Sequence, residues 1–315
     1  MDGGGYAVEV CDAAYAGRAA ACSIRGAGAR QTIRATLISQ GTMFVGGRMV
    51  IDAAGKVEAV GCYIPEPDDA VVLDCPGALV SAGLINLHEH IDYSYQQPAR
   101  PPVLKWQHRN EWRRLPAEVR GFEGDAPKDK QVQAEVAERA MLRHALSGTT
   151  ALSGAKDFNA FLRNLRLTDA PLATPFGAAV LDNTFPVNDA ASMAVLAQPC
   201  DAAQVAAVKF NPAQAFIPHV GEGTGDGARH EVDCVLDAIQ GKRTPSAFIH
   251  GVAISQAQVA RLKAQNVAVV LSPRSNLQLY GAAAPVAALK AGGVTLGLGT
   301  DWSPSGSLTL LDEAR

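Results

Sequence analysis

Three times after residue 130, a stretch of helical period runs directly into a short apolar run. "QVQAEVAERAMLRHALS" (131–147) leads into "TTALS", "ISQAQVARLKAQ" (254–265) into "VAVVLS", and "AAPVAALKAG" (283–292) into "VTLGLGTD". Repeated helix-then-strand units with links this tight specify βα units and a parallel sheet. The runs "GLIN" (83–86), "AFIPH" (215–219) and "SAFIH" (246–250) read as further buried strands. From about residue 81 to 315 the expected fold class is therefore α/β.

The preceding stretch has a different grain. "TIRATLIS", "GTMFVGG", "RMVIDAAGKVEAVG" and "AVVLDC" show β-branched alternation, broken by Ala-Ala-Gly and Gly-Gly turn signals. Residues 31–80 thus read as a small all-β unit, and 1–30 as an irregular extension. No repeat of 20 to 50 residues is visible.

In open parallel sheets and in closed barrels alike, ligands bind at the carboxyl ends of the strands. The residues found there are unusual. His88 and His90 follow "GLIN", His219 ends "AFIPH", His250 ends "SAFIH", Asp301 ends "TLGLGTD", and "SPRSN" (272–276) follows "VAVVL". A catalytic zinc takes imidazole nitrogen and carboxylate oxygen, with one position left open for water. Residues i and i+2 of a strand share a face, so His88 and His90 can point together while Glu89 points away. An isolated histidine of this kind is commonly a core residue bonded to backbone. Five strand ends carrying such groups indicate a metal site.

Composition narrows the partners. The net charge is −3 with no block of like charge, which argues against a nucleic-acid groove or a polybasic membrane patch and favours a small-molecule substrate. No run approaches the roughly 18 apolar residues that would span a bilayer. The start "MDGGGYAVEV" lacks the features of a signal peptide, so the chain as it stands reads as cytoplasmic. The six cysteines, at 11, 22, 62, 75, 200 and 234, pull the other way. Sequential pairing (Cys11–Cys22, Cys62–Cys75, Cys200–Cys234) is one of about 15 connectivities and would imply an oxidising compartment; free thiols are the alternative.

Taken in order, "GLINLHEH", "HVGE", "FIHGV", "LSPRSNLQLYG" and "LGTDWSPSGS" resemble the amidohydrolase superfamily, in its mononuclear-metal branch of deaminase-like and chlorohydrolase-like enzymes. The resemblance spans residues 31–315. It implies a (β/α)8 barrel with an accessory β-sandwich, and one divalent metal per chain, zinc before iron. By position, His88, His90, His219 and Asp301 resemble the metal ligands. Glu222 matches the proton-shuttling glutamate and His250 the histidine beside the attacking water. Asp301 would also take that water's proton. The implied activity is hydrolysis of a non-peptide carbon–nitrogen bond in an amino-heterocycle or a cyclic amide, and a homo-oligomer stays open.

Some members of the superfamily hold two metals bridged by a carbamylated lysine on the fourth strand. Lys209 is the candidate, but it lies only ten residues before His219, whereas a parallel crossover takes a dozen or more. A single metal is therefore expected. "HRNEWRR" (108–114), "FLRNLR" (161–166) and "DNTFPVND" (182–189) fall in loops that could contact substrate, as could Arg274, Asn276, Tyr280 and Trp302. His108, His144 and His230 match no ligand position, and His144 reads as structural. The stretch between the third and fifth strands is irregular, and only 14 residues follow Asp301. The resemblance therefore implies a chain lacking the usual C-terminal elements. A silent fragment that binds metal without turnover is the alternative to an active hydrolase.

Overall fold

The computed structural model describes residues 6–17, 20–99, 105–113, 127–158, 160–166, 180–186, 214–242 and 245–315. The chain divides into two units, Met1–Ala82 and Gly83–Arg315.

The first unit is a sheet of six strands: β1 (Ala7–Val10), β2 (Ser23–Arg25), β3 (Arg30–Ser39), β4 (Thr42–Ile51), β5 (Val57–Gly61) and β6 (Ala70–Ser81). Their order is β1-β4-β3-β6-β2, with β5 paired to β4. Ala35, Leu37 and Cys75 form its buried centre, with Phe44, Leu73 and Val80 packed around them. Two expectations need correction. Residues 1–30 are not simply irregular, because β1 runs parallel to β4 and β2 antiparallel to β6. Every residue of both short strands is exposed, so ladder bonds to their partners hold them and no alternating pattern marks them in the sequence. Gly46-Gly47 is likewise no turn; it lies inside β4, opposite a register shift between Ala35 and Leu37 of β3. Gly46 sits at φ +69°, and a Cβ there would meet Asp12 at 2.7 Å and Tyr15 at 2.9 Å. Glycine is what lets the 3₁₀ turn Ala13–Ala16 lie against the strand.

Two disulfides fasten this unit, Cys11–Cys62 and Cys22–Cys75. Both the free-thiol alternative and the sequential pairs Cys11–Cys22 and Cys62–Cys75 are thereby overturned; Cys200 of the third sequential pair lies outside the described residues. Pairing follows the sheet, since β1 and β2 are brought to strands distant in sequence. Each bond closes a loop of 51 or 53 residues, for which the chain-entropy model gives about 4 kcal/mol apiece. A non-reducing digest should yield the 11–62 and 22–75 cross-linked peptides, and reduction should cost the unit about 2–5 kcal/mol per bond in denaturant unfolding. Recovery of an 11–22 peptide would contradict this.

Among the described residues of the second unit there are eight short strands. β7 (Leu84–Asn86), β8 (Thr149–Leu152) and β9 (Arg163–Asn164) form one parallel sheet. β10 (Val180–Thr184), β11 (Ala215–Val220), β12 (Ser246–His250), β13 (Val267–Leu271) and β14 (Leu296–Leu298) form another. Single bonds link the two sets: Val180 N–H donates to Leu165 C=O at 3.0 Å, and Leu87 N–H to Leu298 C=O at 3.1 Å. A parallel bridge also joins Glu89 to Asp301. The strand positions differ from the sequence reading. "FLRNLR" contains a strand, β9, and "DNTFPVND" begins within the next, β10. β10 and β11 are direct neighbours, so no strand lies between them; Lys209 itself falls outside the described residues.

Helices α1 (Arg109–Arg113), α2 (Lys130–Leu146), α3 (Asp226–Ile239), α4 (Gln256–Ala264), α5 (Pro273–Tyr280), α6 (Val286–Ala291) and α7 (Leu310–Glu313) accompany the strands. Their starts are written in the sequence. Asp129 caps α2, Ser255 and Gln258 close a capping box on α4, and Pro273 opens α5 where no N–H is required. Near-continuous apolar strands such as "VAVVL" suit a parallel sheet buried on both faces. Phe216, Phe248 and Val269 face α3, α4 and α6, packing with Val235, Leu262 and Leu289. Ile217, Ile249 and Val270 face the other way and meet Val180, Leu87 and Leu165. That second layer lies beneath the carboxyl ends of the strands. Among the described residues no helix is long and apolar enough to cross a membrane.

Candidate active site

Four histidines and one aspartate converge at the strand ends. His88 and His90 follow β7, and their Nε2 atoms stand 3.2 Å apart. Asp301 Oδ1 lies 3.5 Å from the first and 3.6 Å from the second. His219 and His250, from β11 and β12, complete the cluster; His88, His219 and His250 each offer a ligand atom within 4.8 Å of the others, as do His88, His90 and Asp301. All but His90 are buried. Burial holds the His88 and His219 imidazoles well below the usual histidine range, reinforced by neighbouring imidazoles. Burial pushes the Asp301 carboxyl up, against the pull of His250 and His90. Neutral rings crowded this closely are ready-made nitrogen donors.

Three members of the cluster are held from behind. His88 Nδ1 contacts Ser272 Oγ at 3.0 Å, leaving Nε2 for the cluster. His250 Nδ1 contacts Asn276 Oδ1 at 2.8 Å, which assigns the ring proton to Nδ1 and frees Nε2. Asp301 N–H donates to His88 C=O at 2.9 Å, and its own Oδ1 accepts from Trp302 N–H at 2.8 Å. His250 and Asp301 adopt left-handed backbone at φ 72° and 59°, conformations that non-glycine residues hold only where the surroundings enforce them. Glu89 points away from the cluster, as its position between the two histidines requires. It is buried against Thr300 Oγ1 and His144 Nε2, the latter at 3.2 Å, so His144 is structural. Burial raises the Glu89 carboxyl, but His144 and Thr300 outweigh it and the net shift is downward.

Glu222 faces the cluster from the loop after β11, with Oε1 3.7 Å from His250 Nε2. Its setting was not readable from sequence. Tyr280 OH donates to Glu222 Oε1 at 2.6 Å, and Trp112 Nε1–H donates to the Tyr280 oxygen at 3.0 Å. Burial, with the carboxylate beside it, pushes the Tyr280 phenol well above its ordinary value. Arg109, fully buried, pairs through both Nη atoms with Glu231, and its Nε lies 4.0 Å from Glu222 Oε2. Glu231 Oε2 also accepts from Gly221 N–H at 2.9 Å. Gly223, at φ +143°, lets Gln107 C=O approach and accept from Thr224 and Gly225 N–H at 2.9 Å each; a Cβ would stand 2.1 Å from that oxygen. The loop carrying Glu222 is thus bolted to residues 107–112. A glutamate on the buried face of α3 was the one sequence signal for the Arg109–Glu231 pair.

A cavity of about 500 Å³ opens over these groups. His90, His219, Glu222, His250 and Asp301 line one side, and Trp112, Tyr93, Phe185 and Trp302 supply aromatic walls. Trp112 and Trp302 stack at 5.5 Å, and Phe185 lies 4.8 Å from the His219 ring. Arg113, Lys156 and Arg166 also face it. The stretches 108–114 and 161–166 therefore reach the cavity, through Trp112, Arg113 and Arg166, while Arg109 and Asn110 of the first are buried. Of the four residues considered for substrate, Trp302 lines the cavity. Asn276 and Tyr280 are buried behind His250 and Glu222. Arg274 is exposed and outside the lining, its backbone N–H bonded to Glu313. His108 is buried, with Nδ1 accepting from Asn110 N–H, and His230 sits beside Cys234 on α3.

No family model matches the sequence. A curated protein from Halobacterium salinarum, a 5-methylthioadenosine/S-adenosylhomocysteine deaminase, is 27% identical over 312 residues, covering 85% of this chain and 68% of that protein. A deaminase of the same name from Haloquadratum walsbyi is 27% identical over 284 residues, covering 77% of this chain and 60% of its own length. Among solved structures, the guanine deaminase of C. acetobutylicum with bound guanine superposes with a TM-score of 0.55 at 15% identity, covering 89% of this chain and 76% of that one. The aminofutalosine deaminase of Helicobacter pylori in complex with methylthio-coformycin gives 0.50 at 16% identity, covering 90% and 80%. These structural likenesses establish a shared α/β fold.

Proposed function

We infer that this chain, which belongs to the deaminase branch of the amidohydrolase superfamily, is a metal-dependent hydrolase of non-peptide carbon–nitrogen bonds acting on a small amino-heterocycle. Its eight parallel strands are read as a (β/α)8 barrel, and residues 1–80 as part of an accessory β-sandwich. The observation that carries the reading is the convergence of four imidazoles and a carboxylate at the strand ends, with Glu222 beside them.

The donor set fits a metal. Nitrogen and oxygen ligands of this kind suit zinc, with iron as the second choice. Among the described residues His219 Nδ1 is buried without a hydrogen-bond partner, as expected of a ring whose surroundings are arranged around an ion. His88, His90, His219 and Asp301 would hold the ion, which supplies, when bound, the Lewis acidity that brings a water's pKa from about 15.7 toward roughly 7.

The remaining work falls to the side chains. Asp301 accepts a proton from the attacking water. His250, with its Nδ1–H held by Asn276, turns an unprotonated Nε2 toward the cavity and orients that water by accepting its hydrogen bond. Glu222 protonates the departing nitrogen as general acid. Trp112, Trp302 and Phe185 offer flat apolar surfaces for a planar ring.

The test is an ammonia-release screen over guanine, 5′-methylthioadenosine and other amino-heterocycles, with zinc or iron supplied. Release from at least one amino-heterocycle, dependent on metal, is the expected result. Binding of one metal per chain with no release from any compound would overturn the hydrolase reading in favour of a silent metal-binding protein.

A further inference from the structure

We propose that Tyr280 is a positioning residue that decides which oxygen of Glu222 carries the transferable proton. The proposal rests on the reading of Glu222 as the general acid. Three groups from three separate elements meet here: Trp112 on α1, Tyr280 at the end of α5, and Glu222 after β11.

The direction of the hydrogen bonds follows from what each group can do. An indole N–H can only donate, so at 3.0 Å the Trp112 Nε1–H occupies a lone pair of the Tyr280 oxygen. The Tyr280 hydroxyl hydrogen is then committed to the partner on its other side, Glu222 Oε1 at 2.6 Å. An oxygen that accepts this bond is held as the acceptor of the carboxyl group. When Glu222 is protonated, the proton therefore resides on the other oxygen, Oε2.

Among the described residues, the groups beside Glu222 leave that assignment in place. Arg109 Nε stands 4.0 Å from Oε2, beyond hydrogen-bond reach, and both Nη atoms of that guanidinium are engaged by Glu231. His250 Nε2, at 3.7 Å from Oε1, is also beyond it. Tyr280 is almost fully buried, at 3% exposure, and is absent from the cavity lining, so it acts on the reaction through Glu222 and not by touching substrate. A fixed acceptor oxygen halves the ways the acid can present its proton and keeps the carboxyl plane set between turnovers.

The test uses Tyr280→Phe, which keeps the ring and its packing, with Trp112→Phe as the second variant. Kinetics are measured on whichever amino-heterocycle the wild-type enzyme deaminates fastest, alongside metal content and thermal midpoint. For Tyr280→Phe, kcat should fall about 10- to 100-fold with KM within about twofold, the factor expected for losing a hydrogen bond to an ionisable group. Trp112→Phe should lower kcat by less, since the hydroxyl survives but is free to turn; its KM carries no weight here, because Trp112 also walls the cavity. A raised KM with unchanged kcat would make Tyr280 a substrate contact and overturn the proposal, as would two unchanged constants. A crystal structure of Tyr280→Phe reads the same point without turnover. A Glu222 carboxyl turned out of its wild-type position supports the proposal, and one left in place overturns it. Failure of the wild-type protein to release ammonia from any compound would instead sink the hydrolase reading, and the crystal structure would still decide the role of Tyr280.

Discussion

A Glu222→Gln variant keeps its metal and loses turnover, with kcat lower by about 10²–10⁴-fold, the usual worth of a general acid. The substitution is close to isosteric. Its amide oxygen can still accept from Tyr280 OH, and the loop stays fastened through Gln107 and Gly223. What disappears is a proton that can be given to a leaving nitrogen, so the loss should appear in kcat and kcat/KM equally, with little change in KM. The measurement is steady-state ammonia release with metal analysis on the same preparation. A Glu222→Gln protein at full rate would remove Glu222 from the chemistry.

The second large effect concerns the metal itself. His88 is fully buried, oriented by Ser272, and in contact with His90 and Asp301. His88→Ala should take metal content from near one equivalent to near none. It should also abolish measurable turnover, since water without a metal stays almost wholly protonated at neutral pH. His219→Ala serves as the companion, because its ring approaches the cluster from a different strand. Loss of metal in both variants with cooperative unfolding retained separates ligand removal from misfolding. A stoichiometry near two in the wild-type protein would reopen the binuclear reading and bring Lys209 back into it.

The strand ends were legible because apolar runs of four or five residues stop at a histidine or aspartate, and that pattern survives without tertiary information. β9 was missed because two residues, Arg163 and Asn164, leave no period to detect. Gly46-Gly47 was misread because glycine marks turns and strand-internal close approaches alike, and only the docking of Asp12 and Tyr15 distinguishes them. Cysteine connectivity followed strand order, which spacing does not encode. At the site, Glu222 was reachable through its distance from His219. Its supports were not, since Arg109 and Glu231 are separated by 122 residues and Trp112 and Tyr280 by 168. No local pattern pairs residues across such intervals. Asn276 and Tyr280 were noticed for their place after β13, and the structure sets them behind the reacting groups, where a sequence cannot distinguish a support from a contact.

The two left-handed residues of the histidine–aspartate cluster, His250 and Asp301, tie the protein's folding to its metal supply. Each such conformation costs of order 1–3 kcal/mol, so the strand ends that form the cluster are also where the native state has least to spare. An ion that binds only the folded form offsets that cost through its own affinity, adding about 2.7 kcal/mol at a hundredfold excess over its dissociation constant. Chelation should therefore lower the thermal midpoint as well as the activity, with amide exchange rising first around residues 250 and 301. Protein made in metal-poor medium should then be recovered in lower yield, before any substrate is offered to it.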